Sequence, residues 1–136
     1  MHLTLITNPD ESKIILYKVA RIIYAETNAS SLPAIESLAA MIANMCVTSQ
    51  RQLCDLVKDK NIFESLNANS NRHGHLYINS ENPKFKICLR VAQKMISGAL
   101  PDCCHGAVRF HRAENLPDWA VSRGYIAEVD ELLFYL

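Results

Sequence analysis

The chain has 136 residues, 49% of them apolar and 21% charged, enough for one globular domain with a buried core and too little for two. Its 14 basic and 14 acidic side chains cancel, which argues against partners recognised through a strong field, such as nucleic acid or an anionic membrane surface. No run approaches the ~18 consecutive apolar residues of a membrane span, and MHLTLITNPD lacks the charged start, apolar core and small-residue cleavage site of a secretory signal; residues 1–11 read as a short N-terminal extension.

In chain order, Asp10 or Ser12 is placed to cap a helix running to about Thr27, and Pro33 sits in the first turn of a second helix reaching about Val47. A short helix is expected over Gln50 to Lys58. Residues 59–82 are rich in Asn and Ser, which is loop chemistry, and form a longer connection than most compact domains use. Asn82 and Pro83 then open a helix with Phe85, Ile87, Cys88, Val91, Ala92, Met95 and Ile96 at helical spacing and Gly98 as its stop. Ala107 to His111 alternates like a strand, and Tyr125 to Tyr135 offers a second extended stretch. Helices first and a small β element later predict an α+β domain, mainly helical.

The first helix carries an anomaly. Ile15, Val19, Ile22 and Glu26 share a narrow arc, with Leu16 and Ile23 beside them, while Lys13, Tyr17, Arg21 and Tyr24 take the far side. Glu26 therefore continues the apolar stripe. Burial disfavours the charged form of a carboxylate, and an acid that holds its proton is what general acid catalysis needs. Two plainer readings stand beside this one: the last turn reaches solvent, or Arg21 or another base pairs with Glu26. The second helix places Ile35, Leu38, Ala39, Ile42, Met45 and Cys46 on one face, so the two helices are expected to pack near the turn at 28–32.

The run LYKVARIIYAETNASSLPAIESLAAMIANM resembles the opening of the germination-specific cell-wall hydrolase family (SleB type), which reads approximately L-A-R-x-I-Y-A-E-A-x-G-E-x, followed by a helix ending V-x-N-R. Ala20, Arg21, Ile23, Tyr24, Ala25 and Glu26 match the first motif, and Asn44 matches the Asn of the second. Cys54, Leu56 and Val57 are similar to the family's C-x-V-V segment and Phe63 to the Phe of its Q-F-S motif. Cys88 to Gly98 resembles its C-x-x-I-A…G helix, and GAVRFHRAENLPDWA its G-A-x-x-Y/F-H…P-x-W-A block. The resemblance covers about residues 16 to 136, in order.

The resemblance implies a lysozyme-like or transglycosylase-like single domain acting on peptidoglycan glycan strands, with no cofactor and no metal. Glu26 falls on the catalytic glutamate, and the family's bond is that between N-acetylmuramic acid and N-acetylglucosamine, typically cut by lytic transglycosylation. A cell-envelope or periplasmic location follows from the same resemblance. Hydrolysis would ask for a second carboxylate, for which Glu64, Asp102, Glu114 and Asp118 are candidates. Phe63, Glu64, His111, Tyr24 and Trp119 are the expected substrate-binding residues. Trp119 as ordinary core, and His111 as a strand residue bonded to backbone, are equally open. Tyr24 points away from the main stripe, and Asn44 suits a helix-to-loop tie better than a ligand contact.

Two positions depart from the family pattern. Ala29 and Ser30 stand where it has Gly and a second acid, and Ile62-Phe63-Glu64 replaces Q-F-S. A catalytically weakened peptidoglycan-binding or regulatory relative is therefore an alternative. A second alternative is a metal-stabilised interaction domain built on His73, His75, Cys103, Cys104 and His105, although that spacing matches no common zinc module. If the domain is oxidised, the resemblance implies a Cys54–Cys88 bridge, with Cα atoms about 4.4–6.8 Å apart.

Overall fold

A computed structural model describes residues 9–136. Its helices are α1 (Pro9–Thr27), α2 (Leu32–Ser49), α3 (Leu53–Leu56) and α4 (Pro83–Ile96), and its strands are β1 (Arg109–Arg112), β2 (Tyr125–Val129) and β3 (Leu132–Tyr135). The N-terminal extension expected over 1–11 falls mostly outside the described residues. Because α1 already includes Pro9, Asp10 and Ser12 lie within the helix rather than at its start. The predicted stripe holds: Ile15, Val19, Ile22 and Glu26 are all buried.

Ser31 caps α2, its hydroxyl accepting from Ala34 N at 3.2 Å, with Pro33 in the first turn where its missing N–H costs nothing. All six residues expected on the buried face of α2 are buried, and so are Ala34, Ser37, Ala40 and Met41, because α4 and the sheet cover further sides of the helix. By length and composition alone, the 18 residues of α2 are apolar enough to cross a membrane. Enclosure within its own domain accounts for that composition without a bilayer. Asn82 caps α4 by accepting from Lys84 N at 2.9 Å, and Gly98 follows its end at φ 79°, a left-handed conformation that stops a helix. α4 packs against both α1 and α2, burying Phe85, Cys88, Val91, Ala92 and Met95. Ile87, expected on that face, is 43% exposed.

The three strands form an antiparallel sheet in the order β1-β3-β2. The single extended stretch expected over Tyr125 to Tyr135 is two strands folded back at Asp130 and Glu131, whose φ values of 47° and 70° are those of a tight two-residue hairpin turn. Neither residue is a glycine, so the turn signal was weak. Phe110 of β1 packs at a tilt against both Phe63 and Phe134, each ring centroid 6.3 Å away, and joins the sheet to the helical core. The 59–82 connection is pinned rather than loose. Arg21 Nη1 donates to the carbonyls of Leu76 (3.1 Å) and Ile78 (2.6 Å), which also removes Arg21 as a partner for Glu26.

All five cysteines are free thiols. Cys88 is fully enclosed in the α4 face while Cys54 is half-buried beside Gln52, so the Cys54–Cys88 bridge is absent. Burial pushes the Cys46 thiol up to about 11 and those of Cys88 and Cys104 up to about 12, which leaves them neutral and unreactive near neutral pH.

Candidate active site

The end of α1 is shaped by the turn that follows it. Thr27 Oγ1 donates to Ile23 O (2.7 Å) and accepts from Ala29 N (3.0 Å), holding Asn28 and Ala29 at φ 54° and 52°. Ala29 thus adopts the conformation a glycine would take without strain, with the Thr27 hydroxyl as a brace. Ser30, where the resembled family has an acid, donates to Asp130 Oδ2 at 3.1 Å, so a carboxylate reaches this turn from the β2–β3 hairpin.

Glu26 is 1% exposed and lies at the floor of an open cleft of about 490 Å³. One wall is the segment 60–67, through Lys60, Asn61, Ile62, Glu64 and Asn67; the other is β1 with the loop behind it, including Arg109, His111, Asn115 and Trp119. Both carboxylate oxygens are engaged. Ser65 N donates to Oε2 at 2.8 Å, and Arg112 Nη2 donates to Oε1 at 2.8 Å and also to the Glu26 carbonyl. The wall around Glu26 is therefore not purely apolar. Burial pulls the Arg112 guanidinium below the ordinary arginine value, and the neighbouring Glu26 works against that pull. Glu64, half exposed, brings Oε2 to 3.9 Å from Arg112 Nε, an atom that is buried without a hydrogen-bond partner. One guanidinium thus stands between two carboxylates.

Arg112 is the residue sequence reasoning missed. A signal was present: strand alternation puts Arg112 on the same face as Phe110, and a cation on a core-facing position needs a buried partner. Of the four candidate second carboxylates, only Glu64 lines this cleft. Asp102 instead accepts from Gly106 N (2.8 Å) and Asn44 (3.2 Å) on the far side of α2, and Asn44 also donates to Ala107 O (3.1 Å), the helix-to-loop tie its chemistry suggested.

The remaining expected substrate residues divide. Phe63 is 0% exposed and belongs to the core, because its ring packs on Phe110; it cannot face a sugar. Tyr24 does not line the cleft either, lying on the other flank of α1 near the His75 ring. His111 borders the cleft, but both ring nitrogens are occupied. Its Nδ1 meets the Arg112 carbonyl at 2.7 Å and must donate there, so Nε2 of the neutral ring accepts from the Tyr135 hydroxyl at 2.8 Å. The direct bond from His111 to substrate is thereby replaced by a structural one. Trp119, half-buried, meets His111 and Tyr135 edge-on and offers the cleft its remaining surface.

The metal alternative does not assemble. His73 bonds the Ser65 carbonyl beside α1, whereas Cys103 and Cys104 lie against Ser37 and Asn44 of α2. Among the described residues no three His, Cys, Asp or Glu side chains are placed to hold an ion.

Helices around a buried glutamate, with a small antiparallel sheet closing one side of a cleft, define a lysozyme-like α+β domain. Its fold is that of the SleB catalytic domains. The chain superposes on the catalytic domain of the germination-specific lytic transglycosylase SleB from Bacillus anthracis with TM-score 0.73 and 15% identity, over 96% of this chain and 100% of that one. The catalytic domain of the Bacillus cereus SleB protein gives TM-score 0.71 and 15% identity over 91% of each chain. No protein-family model matches the sequence, and no curated protein matches it.

Proposed function

We propose that the protein cleaves peptidoglycan glycan strands between N-acetylmuramic acid and N-acetylglucosamine, as a lytic transglycosylase with Glu26 as the single acid and base. The carrying observation is the position of Glu26, a carboxylate 1% exposed at the floor of an open cleft, in a fold shared with two SleB catalytic domains, one of them that of a germination-specific lytic transglycosylase. Protonated Glu26 donates to the glycosidic oxygen as the C1–O bond breaks. The resulting carboxylate takes the proton of the C6 hydroxyl as that oxygen closes on C1, giving a 1,6-anhydro product and returning the acid. While Glu26 carries the proton, Glu64 is at hand to balance the guanidinium charge of Arg112. Once Glu26 is an anion, the 2.8 Å contact to Arg112 stabilises it. Trp119 supplies an aromatic surface to the sugar, Asn61 and Asn115 supply amides for its hydroxyl and N-acetyl groups, and Asn67, whose Nδ2 is held by the Lys60 and Glu64 carbonyls, supplies its side-chain oxygen.

The engagement of both Glu26 oxygens favours a second reading, a relative that binds the same strands without cutting them. Incubation of purified sacculi with wild type and Glu26→Gln, followed by mass analysis, separates the two. Anhydro-muropeptides from wild type alone support the enzyme. Equal release by both proteins removes Glu26 from the reaction, and binding without release supports the second reading. Because Glu26→Gln leaves the buried Arg112 with only the 3.9 Å contact to Glu64 as an ion pair, a double Glu26→Gln/Arg112→Gln variant serves as the folded control.

A further inference from the structure

Asn61, Ile62 and Arg109, which border the cleft over Glu26, also border a second cleft of about 470 Å³ next to it. The second cleft is basic: it is lined by Arg51, Arg109 and Arg123, with Asp59 as its only acid among the described residues, and Asp59 is paired with Arg51 at 2.9 Å. Arg109 is held in place without a carboxylate partner among the described residues. Its Nη2 donates to the Asn61 carbonyl at 3.2 Å, and its guanidinium lies 5.0 Å from the Trp119 ring centroid. Arg123 approaches the same ring at 5.7 Å, and its Nη1 donates to the Leu136 main-chain oxygen. Partial burial and the neighbouring Arg123 pull the Arg109 guanidinium below its ordinary value, and the charge of Asp59 works against them. Two cations brought over one indole are a site prepared for negative charge.

We propose that the second cleft binds the carboxylates of a peptide stem carried by the glycan strand, so that the protein selects peptide-bearing over peptide-free strands, with Arg109 as the main determinant. The inference rests on the peptidoglycan reading above. The spacing favours the stem over the muramic lactyl carboxylate as the source of charge. Arg109 and Arg112 are three positions apart on β1, about 10 Å along the strand and on opposite faces of it, and the second cleft lies on the Arg109 side. A sugar bonded at Glu26 therefore reaches the arginines through an arm several atoms longer than a lactyl group. The planar guanidinium suits a carboxylate, which it can meet with two parallel hydrogen bonds.

The test is binding of the intact chain to three preparations of one strand length: peptide-bearing, stripped of stems by an amidase so that lactyl carboxylates remain, and peptide-bearing with the stem carboxyls converted to amides. The wild type should bind the first about tenfold more tightly than the other two, the effect of one charge-assisted hydrogen bond. Arg109→Gln should bring that ratio close to one, and Arg109→Lys should retain part of it. Thermal melts establish that each variant is folded, and Arg123→Gln gives a second, smaller reduction of the ratio. Equal wild-type binding to all three preparations overturns the inference while leaving the peptidoglycan reading intact, as does an unchanged ratio in Arg109→Gln. A stripped strand that binds as tightly as the peptide-bearing one, with the amidated strand weaker, also overturns it. Absence of wild-type binding to every preparation, with no product from sacculi, overturns the peptidoglycan reading and this inference together.

Discussion

The two ends of the groove use the same residue types in opposite ways. At the α1 end, Glu26 and Arg112 are buried, and every oxygen of the carboxylate has a donor. At the far end, Arg109 and Arg123 stand over an aromatic ring, Arg123 exposed and Arg109 half-buried, and the one acid nearby is already taken. An ion pair enclosed in protein ties structure together, whereas a cation left at a cleft wall is available to a ligand. Burial, not residue identity, sets the division.

The largest expected effects lie at the buried end. Arg112→Leu should lower unfolding free energy by about 3–5 kcal/mol, because it takes the charged donor away from the buried Glu26 carboxyl. The double Glu26→Gln/Arg112→Gln variant should recover much of that in a urea melt. A loss under about 1 kcal/mol for the single variant would mean that water reaches Glu26 freely. Phe63→Ala should cost a comparable ~3–5 kcal/mol through the cavity it leaves; unchanged stability with weakened glycan binding would return Phe63 to the cleft.

Smaller effects mark the turn and the open end. Ala29→Gly relieves a left-handed backbone in a non-glycine residue and should stabilise by about 1 kcal/mol, read as a raised thermal midpoint. Arg109→Gln should change stability by no more than about 0.5 kcal/mol, in contrast to Arg112 three residues on. A large loss of stability there would erase the distinction between the two ends. The smallest effect concerns Asp59, whose hydrogen bond from Arg51 holds its carboxyl below the usual aspartate range. A depressed folded value gives stability that is present above the ordinary aspartate value and is lost as pH falls through the folded one. Asp59→Asn should flatten that acid-side decline in denaturant midpoints measured across the acid range, and added salt should weaken the contribution in wild type.

Much of the helical half was legible because its signals are local. Pro33, Asn82 and Pro83, and Gly98 mark helix ends through bonds or backbone angles within a few residues of themselves. Periodicity likewise identified the buried side of α1, Glu26 included. Phe63 was misread because a phenylalanine between Ile62 and Glu64 in an Asn-rich connection carries no record of whether its ring faces solvent or Phe110. His111 was half read: its strand placement followed from alternation, but Tyr135, which takes its second nitrogen, lies 24 positions on.

The sequence by itself determined an α+β domain led by helices, with an acid on the apolar face of its first helix, since propensity, capping and period act over neighbouring residues. Only the tertiary structure decided what that acid meets. Arg112 is 86 positions from Glu26, and it arrives there because β1 pairs with β3 and packs Phe110 into the helical core. Periodicity says which side of an element turns inward; the meeting of two inward sides is settled by packing alone.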